Sequence, residues 1–519
     1  MTGDEAVLYR GGRFYSAADP RATAMLVVGG RIGWLGADVD APAADVVVDL
    51  DGALVTPAFV DAHVHATGTG LALSGLSLSG VVSAGAVLDA VARFAAGLPV
   101  DAAVLGHGWD ESVWADQRLP SVAELDRAAG GRRVYLSQAS MHAALCSAAL
   151  LAAAPQVGSV AGFDGSALVR RDAHHVVRSV ALGSLSAAQR VAAQRVMLAH
   201  AAGAGVAAVH ECGGPQIAGE ADFTGLLGLS GNGLPEVYGY WGELLGAAKA
   251  RQLGAVGAGG DLFADGALGA RTAHLAAPYV DGDGSGFGYL SDAQVRDHVL
   301  DCVAHGVQAG FHAIGDAAIA TVLAGYAQAA ATVGVERLRA ARHRVEHAEI
   351  LDKRLIAGFV EFGLVASMQP AFDRLWGGAG RMYASRLGVA RALAANPFAG
   401  LHGVGVMLAF GSDTPVTPVD PWGAVRAAVS HFNPAQRLGV RAAFAAHTRG
   451  GWRAVHRDTD GLVAPGAPAT FAVWDTPAGV RDGLPVLVSA DPELRGPDDP
   501  TPLPVCRRTV LRGRTIFEG

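Results

Sequence analysis

Leu54-Val-Thr-Pro-Ala-Phe-Val-Asp-Ala-His-Val-His65 is an apolar run that ends in two histidines separated by one residue. The pattern is typical of a β-strand, in which the side chains of residues i and i+2 point to the same side. Two neutral imidazoles that converge on one point provide half of a binding site for a first-row metal ion. The stretch therefore predicts that His63 and His65 are metal ligands at the end of a strand.

Later strand-like runs end in residues of the same kind. The runs 307–312 and 342–347 end in His312 and His347, and the run 406–413 ends in Asp413. Helical patterns separate these runs, and the first of them follows a helix that a capping box at Ser291 opens. Strands that alternate with helices indicate a parallel sheet with helical crossovers. In a closed barrel of this kind the carboxyl ends of the strands meet at one face, so distant residues can share one ion.

Composition and charge narrow the class of protein. The chain has 519 residues, of which 51% are hydrophobic and 17% charged, which predicts a sizeable core. A net charge of -8 disfavours nucleic acid as a partner, and we expect no membrane span because no apolar stretch reaches roughly 18 to 20 residues. The start of the chain lacks the features of a secretory signal, and the four cysteines form no C-x-x-C pair. We therefore expect a cytoplasmic protein with a small-molecule substrate, in which a homodimer is possible.

Six motifs give the chain its resemblance to a known family. It resembles the amidohydrolase superfamily, specifically the family 3 branch of YtcJ-like and N-substituted formamide deformylase-like proteins. The motifs occur in family order and are Pro57-Ala-Phe-Val-Asp-Ala-His-Val-His65, Gly106-His-Gly-Trp-Asp110, Asp265-Gly-Ala-Leu-Gly-Ala-Arg-Thr-Ala273, Phe311-His-Ala-Ile-Gly-Asp316, Arg342-His-Arg-Val-Glu-His347 and Gly411-Ser-Asp-Thr-Pro415. The resemblance implies an α/β fold, a (β/α)₈ TIM-like barrel over residues 58–457. It also implies a small β-sandwich built from residues 1–57 and 458–519.

The resemblance assigns roles to the strand-end residues. His63 and His65 would be ligands from the first barrel strand, and His312 and His347 ligands from the fifth and sixth strands. Asp413 would be the carboxylate of the eighth strand, which binds the metal and handles the proton of the attacking water. A bound Zn²⁺ lowers the pKa of its water from ~16 to about 7, which supplies hydroxide at neutral pH. The implied function is metal-dependent hydrolysis of a C–N bond, in an amide or an N-substituted formamide.

One position departs from the family pattern. The family commonly has a lysine two residues before the Phe of its Phe-x-Asp-Gly motif, which is carbamylated to bridge two metals in binuclear members. Here Asp261 stands at that position. Either the site holds one metal, or Asp261 or Glu211 supplies the bridge, Glu211 being the expected end of the third strand. We expect one tightly bound metal ion, with a second and weaker site possible. Zinc is the usual choice for redox-free hydrolysis, although Fe²⁺, Ni²⁺ and Mn²⁺ also suit imidazole and carboxylate ligands.

Further residues are candidates for the active site. His312 or His142 would stabilise the developing oxyanion, where His142 follows the strand-like run 133–136 and resembles the second-strand histidine of the family. Trp109 and Asp110 could line the substrate pocket, although a core tryptophan beside a turn aspartate is an equally good interpretation. Arg271 could bind a substrate carboxylate or pair with Asp265, and we favour the structural role.

Two other functions use the same features. Deamination of a ring amidine also uses this barrel and one metal, but it usually pairs a sixth-strand histidine with a separate proton-shuttling glutamate, which lies in a His-x-x-Glu motif after the fifth strand. The segment from His312 to Asp316 lacks that glutamate. The non-enzymatic alternative is a degenerate barrel that serves as a binding protein. The missing lysine is its only support, and the five other ligand positions are present.

Overall fold

Strands and helices alternate along most of the chain in the computed structural model, which describes residues 5–111, 114–115, 118–138, 143–215, 217–491, 494–496 and 498–519. The strands of this described part are, in chain order, β1 Val7–Arg10, β2 Arg13–Phe14, β3 Ala24–Val28, β4 Arg31–Gly36, β5 Val46–Asp49, β6 Leu54–Pro57, β7 Phe59–Val64, β8 Leu76–Ser77, β9 Val104–Trp109, β10 Val134–Gln138, β11 Ala143–Cys146, β12 Leu168–Arg170, β13 Val206–Gly213, β14 Glu236–Trp241, β15 Gly257–Ala258, β16 Gln308–Ala313, β17 Arg344–His347, β18 Val365–Met368, β19 Met407–Phe410, β20 Phe471–Asp475, β21 Val480–Arg481, β22 Leu484–Pro485, β23 Val505–Leu511 and β24 Arg514–Glu518.

Most helices of the same described ranges lie between successive strands along the chain and connect them. They are α1 Ala66–Ser74, α2 Ala84–Ala96, α3 Val122–Ala129, α4 Ala148–Ala153, α5 Arg171–Gly183, α6 Ala187–Gly203, α7 Glu220–Leu227, α8 Ala247–Leu253, α9 Asp292–His305, α10 Asp316–Val333, α11 Val335–Ala341, α12 Lys353–Phe362, α13 Pro370–Trp376, α14 Met382–Leu387, α15 Val389–Ala394, α16 Phe398–Gly403, α17 Pro421–Val429, α18 Val440–Ala446 and α19 Arg449–Ala454.

Eight parallel strands form the ring at the centre of the larger compact unit, which comprises residues 1–65 and 198–519. Their order is β7-β13-β14-β15-β16-β17-β18-β19. The ring closes between its first and last strands, since the Asp413 amide donates to the His63 carbonyl at 2.8 Å and the His65 amide to the Thr414 carbonyl at 2.9 Å. The fold class predicted from the sequence, a TIM-like barrel, is confirmed.

Local sequence signals account for the helices of this ring. The capping box at Ser291 is present, with the Ser291 hydroxyl accepting from the Gln294 amide and the Gln294 side chain accepting from the Ser291 amide. Gly306 ends the same helix in the left-handed region, with a φ of 68°. The chain then enters β16 after one residue, so the helix and the strand are joined as a tight crossover unit.

Two further sheets of the larger unit come from the ends of the chain, the first from the N-terminal segment alone and the second from both ends. One has the order β4-β3-β1-β5 and the other β2-β6-β20-β23-β24. Apolar side chains from both sheets, such as Met25, Val55, Phe471 and Val510, belong to one buried cluster. The predicted β-sandwich of the termini is confirmed, whereas its boundaries at residues 57 and 458 stay predictions.

Residues 66–197 form a compact unit of their own. Its sheet has the order β12-β11-β10-β9-β8, with β10 parallel to β9 and antiparallel to β11. The run 133–136 precedes His142, which we matched to the second-strand histidine of the family, but this run is not the second barrel strand. That match is therefore wrong in strand order, and β13 is the second strand of the barrel. The physical reason is spacing, because the few residues between β10 and β11 allow a hairpin but not a helical crossover.

In the part of the chain that the structure describes, no single helix is long and apolar enough to cross a bilayer. Taken together, α10 and α11 meet the length and composition requirement, but the pair is bent by 116°.

His343 gives the larger unit a dependence of stability on pH. The side chain is fully buried, its Nδ1 accepts the Ala309 amide at 2.8 Å, and burial lowers the pKa of this imidazole to about 3. The unfolded chain binds a proton at a higher pH than the folded chain does, so this contribution to stability is complete above the unfolded pKa of about 6.5. It is lost progressively as the pH falls from about 6.5 towards 3.

We expect His343→Asn to flatten this dependence, because the Asn Oδ1 can still accept the Ala309 amide but does not titrate. The difference in slope between wild type and variant should approach about 1.4 kcal/mol per pH unit between about pH 6 and pH 4. Denaturant unfolding at a series of pH values measures it. Parallel curves for the two proteins would remove His343 as the titrating group.

Candidate metal centre

The first two candidate ligands come from the end of β7. His63 is fully buried and the His65 side chain is 17% exposed. Their rings lie 5.4 Å apart between centroids, as the predicted same-face placement requires. The two Nε2 atoms both face the carboxylate of Asp413, at 3.5 Å from His63 and 3.2 Å from His65. Ring closure thus brings residues from the two ends of the barrel sequence into one cluster.

Two more imidazoles approach from the opposite side of the ring. His312 lies on β16 and His347 ends β17, and the centroids of these two rings are 4.4 Å apart. The rings of His63 and His347 have centroids 5.0 Å apart. The structure therefore brings together all five residues that the resemblance assigned as ligands, namely His63, His65, His312, His347 and Asp413.

Asp261 lies between the two histidine pairs. Its Oδ2 is 3.5 Å from His63 Nε2 and 3.1 Å from His65 Nε2. Its Oδ1 is 3.5 Å from His312 Nδ1 and 3.7 Å from His347 Nε2. Each oxygen of the one carboxylate thus faces a different pair of imidazoles.

A break in the fourth barrel strand positions Asp261. After β15, Gly259 and Gly260 adopt φ values of 152° and 73°, which side chains other than hydrogen rarely allow. A Cβ on Gly259 would lie 2.3 Å from the Gly310 amide nitrogen of β16, so the two backbones need this glycine to approach each other. The strand resumes its pairing with β16 at Phe263, and Asp261 occupies the bend between these segments.

Glu211, the other candidate for a bridging ligand, lies elsewhere. It is on β13, the second barrel strand, so its predicted place on the third strand is wrong. Its neighbours His210 and Cys212 both contact groups inside the barrel, and strand alternation directs Glu211 to the other face. Within the described ranges, the sets of side chains whose donor atoms come close enough to hold an ion do not include it.

Hydrogen bonds on the far side of each ring orient the imidazoles. Nδ1 of His63 is 3.0 Å from Glu346 Oε2, and Nδ1 of His65 is 3.1 Å from the Cys212 carbonyl oxygen. Nδ1 of His347 is 2.8 Å from Gln369 Oε1. If Nδ1 carries the proton in each, the Nε2 lone pairs face the cluster, which is the arrangement of histidines that bind a metal.

His312 has the opposite orientation. Its Nε2 is 3.3 Å from the Gly266 carbonyl oxygen, which leaves Nδ1 facing Asp261. The Phe263 ring packs against it, with centroids 4.8 Å apart. This side chain therefore offers Nδ1 to the cluster, where the other three histidines offer Nε2.

Sequence reasoning missed Glu346 and Gln369, the side chains that orient two of these rings. Glu346 was visible as a charged residue in a predicted barrel strand, two residues after Arg344 and immediately before His347. A buried charge is rarely found without a partner, so that position was a signal for a functional contact. Gln369 carried no comparable signal, because a glutamine at a strand end is common.

Unpartnered polar atoms mark the centre of the cluster. His63 Nε2, Asp261 Oδ1 and His312 Nδ1 are buried and have no hydrogen-bond partner among the described residues. Burial alone would raise the pKa of Asp261, but His63, His312 and His347 hold the pKa of this carboxyl well below its ordinary value. Burial opposes the charged form of His65, but hydrogen bonds to Asp261 and Asp413 outweigh it and raise the pKa of this imidazole to about 10. A buried carboxylate is stabilised by a nearby positive charge, and imidazole and carboxylate ligands together fit a divalent cation.

Two of the candidate ligands sit on unusual backbone. His347 and Asp413 have φ values of 70° and 56°, in the left-handed region that non-glycine residues seldom adopt. Ala348 follows with a φ of 48°. Such conformations cost free energy and occur where the surrounding structure holds a functional side chain in place.

The remaining predicted site residues have other surroundings. Arg271 is exposed and pairs with Asp281 at 3.0 and 2.9 Å, so the expected partner Asp265 is wrong. Asp265 instead accepts the amides of His274, Ile314 and Gly315. The structural role that we favoured for Arg271 has a physical basis, since its guanidinium already has a carboxylate partner.

The candidates from the smaller unit are placed differently again. Trp109 is fully buried in that unit's core and its indole N–H donates to the Leu136 carbonyl at 2.7 Å, which is the placement of a core tryptophan. Asp110 follows directly after β9, and its side chain or backbone interacts with another group of the protein. His142, the second candidate for the oxyanion, lies outside the described residues.

Comparison with known proteins identifies the family. Residues 46–517 match the amidohydrolase family. The chain belongs to this family. The predicted resemblance is confirmed, and the assignment supports hydrolysis of a small-molecule substrate.

Individual relatives agree with this assignment. YtcJ of Bacillus subtilis (strain 168), which carries the name of an amidohydrolase, is 27% identical over 519 aligned residues that cover 91% of this chain and 90% of YtcJ. The N-substituted formamide deformylase of Arthrobacter pascens is 32% identical over 146 residues, which is 27% of each chain. The structure of an uncharacterized metal-dependent hydrolase from Pyrococcus furiosus superposes with a TM-score of 0.76 at 24% identity, over 90% of this chain and 98% of that one. The last comparison shows the shared fold.

We expect a divalent metal to stabilise the folded protein through this cluster. At a free zinc concentration about 100 times the dissociation constant, binding to the folded state adds about 2.7 kcal/mol. Thermal unfolding with and without chelator, combined with elemental analysis, measures the effect. The double variant His63→Asn/His65→Asn should lose the zinc-dependent rise in Tm, whereas the exposed control His402→Asn should keep it. An equal rise in all three proteins would place the bound metal elsewhere.

Proposed function

We propose that the protein is a metal-dependent amidohydrolase that cleaves a C–N bond in an amide or an N-substituted formamide. The observation that carries the proposal is the convergence of four imidazoles on the carboxylates of Asp261 and Asp413. Family membership supports hydrolysis, and the partial likeness to an N-substituted formamide deformylase supports this bond type. Zinc is the ion we assign, because it suits imidazole and carboxylate ligands and redox-free hydrolysis.

The proposed chemistry divides between the ion and the chain. A divalent cation bound here would lower the pKa of a water molecule and polarise the scissile carbonyl. His63, His65 and Asp413 would hold it from one side, together with Oδ2 of Asp261. These groups also exclude bulk water, because all but His65 are more than nine-tenths buried.

Asp413 is the residue we assign as general base and then general acid. Its carboxylate lies at the carboxyl end of the barrel, and its Oδ1 is already within 3.5 Å of both β7 histidines. A carboxylate in this position can accept the proton of the attacking water and return it to the leaving nitrogen. The left-handed backbone at Asp413, with a φ of 56°, holds the side chain over the end of its strand.

The two oxygens of Asp261 bear on the number of metal ions. One oxygen faces His63 and His65, and the other faces His312 and His347. We propose that the firm metal position adjoins the β7 histidines and Asp413, and that a second, weaker position adjoins His312 and His347. Asp261 would bridge the two positions without carbamylation, as a carboxylate that replaces the family's lysine.

The oxyanion-binding residue stays a prediction. His312 is committed to Gly266 through Nε2 and to the cluster through Nδ1, which favours its role as a ligand. Deamination of a ring amidine is less well supported. Gly315 stands three residues after His312, where the motif has its glutamate. The next residue, Asp316, accepts the backbone amides of Ala276 and Ala317 and so serves a structural role.

We expect Asp413→Asn to keep the fold and most of the metal but to lower turnover by on the order of 10²- to 10⁴-fold, the usual contribution of a general acid–base group. Zinc-loaded wild type would first be screened on N-formyl amines, N-acyl amino acids and cyclic amides. Asp420→Asn is the matched control, because Asp420 caps α17 and asparagine caps a helix equally well. Wild-type turnover in Asp413→Asn would exclude Asp413 from this role.

We expect Asp261→Asn to lower the metal content, because a neutral amide is a poor bridge between two cations. The second equivalent should be lost first, and the affinity for the remaining one should fall. Equilibrium dialysis with zinc at increasing concentration, followed by elemental analysis, measures both equivalents. Glu211→Gln is the control, since Glu211 lies outside the cluster and its variant should bind metal like wild type. Unchanged binding by Asp261→Asn would reject the bridging role.

A further inference from the structure

A fully buried ion pair lies directly behind His63. Glu346 accepts a hydrogen bond from His63 Nδ1 at 3.0 Å through its Oε2. Arg344 is two residues earlier on the same strand and therefore points to the same face. Its Nε lies 2.5 Å from Glu346 Oε1 and its Nη2 lies 2.8 Å from Oε2. The guanidinium therefore binds the carboxylate through two parallel hydrogen bonds.

The remaining donors of Arg344 reach across the inside of the barrel. Nη2 also donates to the Ala62 carbonyl at 2.6 Å and to the Ser367 hydroxyl at 2.8 Å, and Nη1 lies 3.0 Å from His210 Nδ1. The guanidinium carbon stands 4.2 Å from the centre of the Tyr240 ring. One arginine thus contacts the strands β7, β13, β14 and β18, in addition to its own. Its position, and that of Glu346, is fixed from all sides.

Stability alone does not account for this pair. The interior of a parallel barrel is usually filled by branched apolar side chains, and both Arg344 and Glu346 are fully buried there. Removing two charges from water is expensive, and a well-packed apolar pair often stabilises a fold at least as well. A charge pair in this position therefore calls for a reason outside the stability of the barrel, and its contact with His63 supplies one.

His63 differs from His65 and His347 in the charge of the group that contacts its Nδ1. Nδ1 of His65 contacts a backbone carbonyl oxygen, and Nδ1 of His347 contacts the side-chain amide oxygen of Gln369. Both of these partners are neutral. His63 alone of these three has a carboxylate behind it. An anionic acceptor makes an imidazole a stronger electron donor and holds its ring plane more firmly than a neutral acceptor does.

We propose that Glu346, held in place by Arg344, is the positioning residue that makes His63 the dominant ligand of the metal centre. The carboxylate keeps the proton on Nδ1 and aims the Nε2 lone pair between Asp261 and Asp413. Arg344 holds the carboxylate in that position through its two hydrogen bonds. The inference rests on the proposed metal centre and adds two residues to it that do not touch the ion.

The main test is Glu346→Gln, which preserves the shape of the side chain but removes its charge. We expect the dissociation constant for Zn²⁺ to rise by about 10- to 100-fold, the usual effect of losing such a partner. Loading with Co²⁺ should also shift the visible absorption bands relative to wild type, because the ligand field of His63 changes. Competition with a chromophoric chelator measures the affinity, and thermal unfolding monitors the fold in parallel.

The double variant Arg344→Met/Glu346→Leu covers the case in which Glu346→Gln folds poorly beside an unpaired arginine. It replaces the ion pair with apolar side chains of similar size, which barrel interiors accommodate. Its zinc affinity should fall at least as far as that of Glu346→Gln. Arg512→Met is the matched control, because Arg512 forms ion pairs with Glu236 and Asp460 away from the cluster. That variant should lower Tm and leave the zinc affinity and the cobalt spectrum unchanged.

The outcomes separate this inference from the proposed function. Wild type that binds zinc tightly, with variants at Glu346 that bind it equally well and give the same cobalt spectrum, would overturn the positioning role and leave the metal centre intact. If Arg512→Met loses as much zinc affinity as the Glu346 variants do at a similar loss of Tm, the positioning role is also overturned. Wild type that binds no metal would reject the metal centre itself, and the positioning role with it.

Discussion

Closure of the strand ring is the constraint on which the rest of this structure depends. The hydrogen bonds that join the end of β7 to the segment after β19 place His63 and His65 beside Asp413. The other histidines and Asp261 reach the same point because parallel strands end at one face of a barrel. No local segment holds enough ligands for an ion, so the site exists only when the whole ring is formed.

The layer beneath the cluster connects the scaffold to its site. Arg344 and Glu346 occupy space that apolar side chains usually fill, and they join several strands through hydrogen bonds. The same contacts fix the ring of His63. A scaffold that orients a ligand in this way uses part of its interior for orientation instead of apolar packing. The left-handed backbone at His347 and Asp413 is a second case in which local conformation serves the position of a side chain.

Prediction from the sequence succeeded where a local rule applied. Strand alternation placed His63 and His65 on one face, and the capping box at Ser291 marked a helix that the structure contains. It failed where the outcome depended on pairing between distant segments. The run 133–136 resembles a barrel strand in composition but pairs in another sheet, and this miscount also moved Glu211 to the wrong strand. Arg271 pairs with Asp281 and not with Asp265, whose carboxylate accepts three backbone amides.

The amino-acid sequence by itself determined which chemical groups are available and at which strand ends they lie, because alternation and periodicity are local properties of the backbone. It also showed that an aspartate stands where the family has a lysine. Only the tertiary structure decided that Asp261 points one oxygen at each histidine pair, and that Glu346 lies behind His63. The physical reason is that both facts depend on distances across the closed ring, which are set by strand order and packing and not by the spacing of residues along the chain.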